Sequence, residues 1–435
     1  MNYRKTVARP FFHEFISAVR KPKPYLKMKK TFILGLLLAL SLANADAKTR
    51  KTLFVIIDGI PAHCIERLKP ATITEISKAG GYARAFCGGE VGMYNETPTV
   101  SAIGYTNILT GTWMNKHNVK GNSNIEANYN YPTIFRIAKD QPRKVTTAIY
   151  SSWTDNRTIL LGENKPATGN LQIDYVFDGY DNDKVRFPDK PGDLHIFDID
   201  AQICSDAAKN IRANAPDLNW VYMWYTDDAF HYNGSGDFTD KSVIAADSLL
   251  RQVWEAVKYR EKNNDEEWLV IVTTDHGRGY NGYHHGGQSS WERTVWMSTN
   301  LKKRNKEFGR STLSHVDILP TICEFMNFSV PDETRFELDG ISFFGKTDIY
   351  DLQALPYDNK AVLTWKFDGT KSPASVYISP TNNKATGQKD VWTKVGNVAA
   401  DACTYTIDLT KYGDSKFYKF AVHTANNCLT KQLHK

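Results

Sequence analysis

Four separated stretches hold the residue types that could do chemistry together. They are Asp58, followed by Gly59; Ser101, in Thr97-Pro98-Thr99-Val100-Ser101; Asp227, with Asp228 next to it and His231 four residues on; and Asp275-His276-Gly277, with the pair His284-His285 shortly after. Each alone has an ordinary reading. Asp-Gly after an apolar run is a turn, and a Ser among Thr and Ala is a helix cap. Asp four residues before His is a local hydrogen bond, and a His pair on a glycine-rich loop is solvated. Together they differ, because carboxylates and imidazoles form the donor set of Zn²⁺ or a similar divalent ion. Asp58, Asp227, His231, Asp275, His276 and one of His284 and His285, with a hydroxyl, suffice for two ions. Two cations a few Å apart can hold an attacking and a leaving oxygen in line across a phosphorus. One of them lowers the pKa of a serine hydroxyl, so no histidine base is needed, and both neutralise charge as the transition state forms.

These residues need strand ends to bring them together. Apolar, β-rich runs cover Thr52–Ile57, Val145–Tyr150, Trp220–Tyr225 and Trp268–Thr274, and they end at Asp58-Gly59, Ser151-Ser152, Thr226-Asp227-Asp228 and Asp275-His276-Gly277. Continuous apolar strands of this kind fit a parallel sheet buried on both faces. Between the last two runs, Val243, Ile244, Leu250, Val253, Trp254 and Val257 recur at helical spacing, with Thr239 or Asp240 as the expected cap. Strand, helix, strand predicts an α/β fold with a doubly wound, mostly parallel sheet, whose ligands bind beyond the carboxyl ends of the strands.

Past Leu355 the pattern changes to alternation, in Val362–Phe367, Ser375–Ser379, Asp390–Lys394, Thr404–Leu409 and Phe417–Thr424. This predicts a small C-terminal β-sandwich domain over 356–435 after an α/β domain over 48–355.

The chain has 435 residues and a formal net charge of +6. Residues 1–47 hold nine basic and two acidic residues, and the remainder 45 and 46, so the body is near neutral. No basic stripe marks a nucleic-acid groove, and no run reaches the ~18–20 apolar residues that span a bilayer. Met28-Lys29-Lys30, the apolar run Phe32–Ala43 and Ala45-Asp46-Ala47 have the form of a secretory signal over 28–47, after an extension over 1–27. Export to the periplasm or the extracellular space is therefore expected. The six cysteines form no zinc-type spacing. In an oxidising compartment some should pair, with Cys403 and Cys428 the one specific expectation.

The spaced motifs resemble the alkaline phosphatase superfamily, and within it the type I phosphodiesterase/nucleotide pyrophosphatase branch, over residues 52–345. Family members have a strand ending in Asp, then a nucleophile nine residues before the Thr of a Leu/Val-Thr-Gly. Leu109-Thr110-Gly111 supplies that anchor and selects Ser101 over Thr97 and Thr99. His117 falls at the branch's Pro-x-x-His-Gly histidine, and Asn122 matches its phosphate-binding Asn. Asp227 and His231 match Asp-Ser-Ser-Gly-His, and Asp275-His276-Gly277 matches Asp-His-Gly. The segments His315–Thr321 and Asp339–Ser342 look like the family's closing helix and final strand. The resemblance implies one metal held by Asp58, Ser101, Asp275 and His276, and another held by Asp227, His231 and a last histidine. His285 is chosen for that role over His284, because His-Gly-Gly soon after Asp-His-Gly resembles phosphoethanolamine transferases.

The sequence also departs from its relatives. The branch usually has Thr-Phe-Pro-Asn where Ser101-Ala102-Ile103-Gly104 stands. Ser-x-x-Gly-x-x-Asn is also similar to cofactor-independent phosphoglycerate mutases, which carry a large inserted domain that this chain lacks the length for. Sulfatases need Pro or Ala two residues, and Arg four residues, after the modified residue, where Ile103 and Tyr105 stand here.

The expected function is an exported two-metal phosphoric ester hydrolase with a phosphoserine intermediate. Its expected substrate is a small phosphate ester or a phosphorylated glycan or lipid head group. The alternatives are a phosphotransferase and, as a non-enzyme, a surface- or glycan-binding protein with a vestigial metal site.

Overall fold

Strand β1 (Thr49–Ile57) is apolar on both faces from Leu53 onward, and its neighbours explain why. The computed structural model describes residues 48–369 and 371–434, so the expected leader and its extension lie outside the described residues. The strands that follow are β2 (Gly81–Phe86), β3 (Thr147–Ser151), β4 (Tyr175–Phe177), β5 (Leu218–Met223), β6 (Glu266–Thr273) and β7 (Thr294–Thr299). They form one sheet in the order β2-β7-β6-β1-β5-β3-β4. β6, β1, β5, β3 and β4 run parallel, while β7 opposes β6 and β2 opposes β7.

Successive side chains of β1 point to opposite faces. Leu53, Val55 and Ile57 pack into one layer with the helices Leu194–Asn214 and Asp237–Asn263. Phe54 and Ile56 pack into the other with the helices Ser101–Thr110 and Ile318–Met326. Each such buried side chain contributes roughly 1.5–3 kcal/mol. The doubly wound sheet expected from the sequence is thus present as three layers.

Register brings the strand ends together. Ile57 pairs with Met223 of β5, and Ile56 with Thr273 of β6, so the residues after all three strands emerge at one edge. The segment Thr226-Asp227-Asp228 is not the strand end expected, because β5 stops at Met223 and Tyr225–Asn233 is helical. The long helix starts after Gly236, and Thr239 lies in its first turn, where its hydroxyl accepts the Gly236 N–H at 3.0 Å. Asp240 is no cap either and pairs with Arg67.

Two further sheets follow. β8 (Ile349–Tyr357), β9 (Lys360–Phe367), β10 (Pro373–Ser379), β11 (Thr393–Ala399), β12 (Thr404–Asp408), β13 (Phe417–His423) and β14 (Cys428–His434) form antiparallel sheets in the orders β11-β10-β13-β14 and β12-β9-β8. One apolar core joins the two, with Leu363 and Trp365 on one side and Val376 and Phe420 on the other. The division expected at residue 355 falls inside β8, and the strand expected over 390–394 starts at Thr393 instead. All six thiols are free. The expected Cys403–Cys428 bridge is absent because Cys403 precedes β12 in one sheet and Cys428 opens β14 in the other. Among the described residues no helix is long and apolar enough to cross a membrane.

The sandwich meets the α/β layers through a buried ionic seam. Lys116 donates to Asp339 and to the Glu337 carbonyl, both at 2.7 Å, and Lys419 of β13 pairs with Glu337 and Asp390. β14 also supports the segment before Ser101. Lys431 pairs with Glu90 at 2.5 Å, the Gln432 N–H donates to the Tyr94 hydroxyl at 3.1 Å, and His434 stacks on Tyr94.

Candidate functional site

Asp58 continues the even-numbered face of β1, so its carboxylate points into the layer that holds the Ser101–Thr110 helix. Burial, then the charges of Asp275 and Asp227, pushes its pKa well above the usual carboxylate range, against hydrogen bonds from two tyrosines. Tyr105, from that helix, and Tyr222, from β5, both donate to Asp58 Oδ2, Tyr222 at 2.7 Å. Tyr105 stands where a sulfatase would carry Arg. Asp58 Oδ1 is buried with no hydrogen-bond partner.

The helix can approach the end of β6 because residue 104 is glycine. A Cβ there would lie 2.7 Å from the Asp275 carbonyl oxygen. Val100 is the helix N-cap, so Ser101 is the first helical residue rather than the cap that its neighbours make the ordinary reading. Its Oγ lies 3.2 Å from His276 Nε2. The same Nε2 is 3.2 Å from Asp275 Oδ2 and 3.5 Å from Asp58 Oδ1. Asp275 accepts the Gly59 N–H through Oδ1 at 3.0 Å, and its Oδ2 has no partner. Burial and then the Asp227 charge push the Asp275 pKa up to about 7.

Asp227 lies on the helix that follows β5, and the start of that helix is fixed by a buried carboxylate. Asp200 accepts the N–H groups of Trp224 and Tyr225 at 3.0 and 2.9 Å and the Ser152 hydroxyl at 2.5 Å. Asp227 Oδ1 is 3.8 Å from both His276 Nε2 and His285 Nε2, and Oδ2 is 3.3 Å from His231 Nε2. His231 and His285 face each other with Nε2 atoms 3.1 Å apart, and the His276 and His285 rings stack at 3.6 Å. His285 Nδ1 faces the Thr99 carbonyl at 2.8 Å, which aims Nε2 into the site, whereas His284 is exposed. Burial pushes both His276 and His285 below the usual imidazole range, so they are neutral donors. Asp228 stands apart from this cluster, and burial followed by the Asp227 charge raises its pKa to about 7.

Two donor sets result, Asp58/Asp275/His276 and Asp227/His276/His285, and within each the ligand atoms lie within 4.8 Å of one another. Two partnerless carboxylate oxygens, Asp58 Oδ1 and Asp275 Oδ2, converge on one neutral imidazole nitrogen, His276 Nε2, and form a donor set for a cation. The residues therefore fit a divalent metal of the Zn²⁺ type.

Two expected residues sit differently. His117 is buried away from the cluster, with Nε2 2.9 Å from Asn107 Oδ1 and Nδ1 accepting the Val119 N–H at 3.1 Å. It holds a turn, and burial lowers its pKa to about 3. Asn122 is exposed, and its Oδ1 accepts the Ala102 N–H at 2.9 Å, beside Ser101 at the helix start.

Sequence reasoning missed Arg278, which is completely buried. Its guanidinium donates to the carbonyls of Gly59 (2.9 Å), Asp227 (3.0 Å) and Tyr283 (3.1 Å) and to the Asp227 carboxylate. Burial would raise the Asp227 pKa, but Arg278 and then His231 hold it below the usual range. Gly59, at φ +68°, makes room for this arrangement, since a Cβ would meet Arg278 Nη2 and Asp227 Oδ1 at 2.6 Å. The only signal in the sequence was a cation directly after Asp-His-Gly.

The family model described as type I phosphodiesterase / nucleotide pyrophosphatase matches residues 52–303. No curated protein matches the sequence. Three similar solved structures span most of the fold. The phosphonate monoester hydrolase of Agrobacterium radiobacter is 14% identical with a TM-score of 0.46, over 88% of this chain and 89% of that one. Murine ectonucleotide pyrophosphatase/phosphodiesterase 5, in complex with AMP, is 11% identical with a TM-score of 0.43, over 65% and 96%. A 2-O GAG sulfatase is 11% identical with a TM-score of 0.47, over 84% and 86%.

Proposed function

The chain belongs to the type I phosphodiesterase / nucleotide pyrophosphatase family, and from that membership we propose that it is an exported phosphoric ester hydrolase with Ser101 as nucleophile. Export rests on the leader pattern of 28–47. The catalytic unit would be the α/β part that precedes β8, with the sandwich that starts at Ile349 as its support. One observation carries the reading of the site. Asp58 Oδ1 and Asp275 Oδ2, both buried and without partners, converge on His276 Nε2, which lies 3.2 Å from Ser101 Oγ.

Asp58, Ser101, Asp275 and His276 would hold one divalent ion and Asp227, His231 and His285 a second, Zn²⁺ fitting both sets; bound there, they would neutralise phosphate charge and acidify the serine hydroxyl. Ser101 Oγ forms a bond to phosphorus as the ester oxygen leaves, giving phosphoserine, and water then cleaves the serine–phosphorus bond to release phosphate or a monoester. Asn122, oriented by the Ala102 N–H on its Oδ1, turns its NH₂ group toward the non-bridging oxygens. The helix start beside it adds backbone N–H groups and the positive end of the dipole. The match of Asn122 to the diesterase branch favours a diester over a monoester.

The test is release of nitrophenol from bis- and mono-nitrophenyl phosphate with and without Zn²⁺. Ser101→Ala should lower kcat by about 10³-fold or more and abolish phosphorylation of the Ser101 peptide in quenched samples. Wild-type turnover by the variant would exclude the serine mechanism.

A further inference from the structure

Among the described residues Arg278 is the one cation buried against the donor cluster, and its surroundings exclude a role in binding substrate. It has no exposed surface, and its nitrogens are engaged by the carbonyls of Gly59, Asp227, Gly282 and Tyr283 and by the Asp227 carboxylate. The Phe230 ring packs 5.3 Å from its central carbon. The guanidinium contacts Asp227 Oδ1, the same oxygen that lies 3.8 Å from His276 and from His285. The other donor set has no such neighbour. Its two carboxylates each keep an oxygen without a partner, and the groups that bond them are two tyrosine hydroxyls and a backbone N–H.

We infer that Arg278 is a positioning residue that makes the two cation sites unequal. Asp58 and Asp275 offer a first cation two carboxylates, each with an oxygen that accepts no hydrogen bond. Asp227 offers a second cation one carboxylate, already paired with Arg278, plus the imidazoles of His231 and His285. The guanidinium fixes the Asp227 rotamer and ties the loops after β1 and β6 to the helix after β5. In exchange it lowers the attraction of that site for a second cation, because like charges a few Å apart in a buried setting repel strongly. The two ions should therefore load in order, the Asp58/Asp275 site first.

This inference rests on the cation-binding reading of the site, and the experiment separates the two. The full protein, stripped of metal, is titrated with Zn²⁺ in a chelator-buffered series, with bound metal measured directly. Two steps about 100-fold apart in affinity are expected. His285→Ala should remove only the weaker step. Arg278→Met should tighten the weaker step about tenfold, and Arg278→Lys, which keeps the charge, should restore the wild-type spacing. Two steps of equal affinity, or wild-type spacing in Arg278→Met, overturn the inference. If Arg278→Met does not fold, the wild-type and His285→Ala titrations still decide it. Failure to bind any Zn²⁺ overturns the cation reading itself.

Discussion

Two buried clusters of charge lie on either side of the Ser101–Thr110 helix region, and they are built on opposite terms. In the seam with the sandwich, Glu337, Asp339 and Asp390 meet Lys116 and Lys419, and each carboxylate has a lysine in ion-pair range. Even Glu337 Oε2, which accepts no hydrogen bond, lies 3.9 Å from Lys116 Nζ. At the strand ends only Asp227 pairs with an arginine, and the free oxygens of Asp58 and Asp275 point at the His276 imidazole. A paired network holds two layers of structure together. A cluster whose carboxylate oxygens are left unpaired stores a demand for a cation. Burial alone does not separate a structural carboxylate from a ligand, whereas the pairing of its second oxygen does.

That contrast breaks most visibly at Asp275. Asp275→Asn removes a buried carboxylate whose Oδ2 has no hydrogen-bond partner among the described residues. Bound metal and kcat/KM should fall by about 100-fold or more, while the metal-free chain melts no earlier than wild type. Early melting of the metal-free variant would show that Asp275 is paired after all. Lys419→Met tests the other cluster. Losing one partner strands Glu337 and Asp390, which should cost about 3–5 kcal/mol in denaturant unfolding and leave kcat per folded molecule unchanged.

The smallest effect is expected at Asp200, which is buried yet fully bonded. Burial pushes its pKa up to about 7 against an unfolded value of 3.8. Between those values the folded chain keeps a proton that the unfolded chain has lost. Its contribution to stability therefore declines as pH rises toward about 7 and is flat above that. Asp200→Asn should cost about 1–3 kcal/mol, since the Tyr225 N–H loses its acceptor, and should flatten the stability curve between about pH 4 and 7. An unchanged slope would mean that Asp200 ionises normally.

Much of this was legible in the sequence because strands announce their own ends. The apolar runs before Asp58 and Asp275 fixed both the sheet and the edge where ligands gather. The His pair was resolved only by the structure, where His285 bonds to the Thr99 carbonyl and His284 faces solvent. Arg278 was invisible because its role depends on two loops and a helix meeting, which no local pattern encodes. Tyr105 and Tyr222 were hidden for the same reason, since a shared bond to Asp58 links residues 117 positions apart. β8 and β14 were missed because an edge strand needs less regular alternation than a central one. His117 carried the right motif, but two hydrogen bonds spend its ring on a turn.

The contacts of β14 with Glu90 and Tyr94 set an order in time as well as in space. A chain made from its N-terminus can close its seven-stranded sheet once residue 299 has emerged. The segment leading to Ser101 waits for Lys431, Gln432 and His434, which are synthesised long after it. The piece of backbone that aims the nucleophile is thus laid down early and braced late, so a nascent or truncated chain would hold the ligands of the site before it could hold the serine in place.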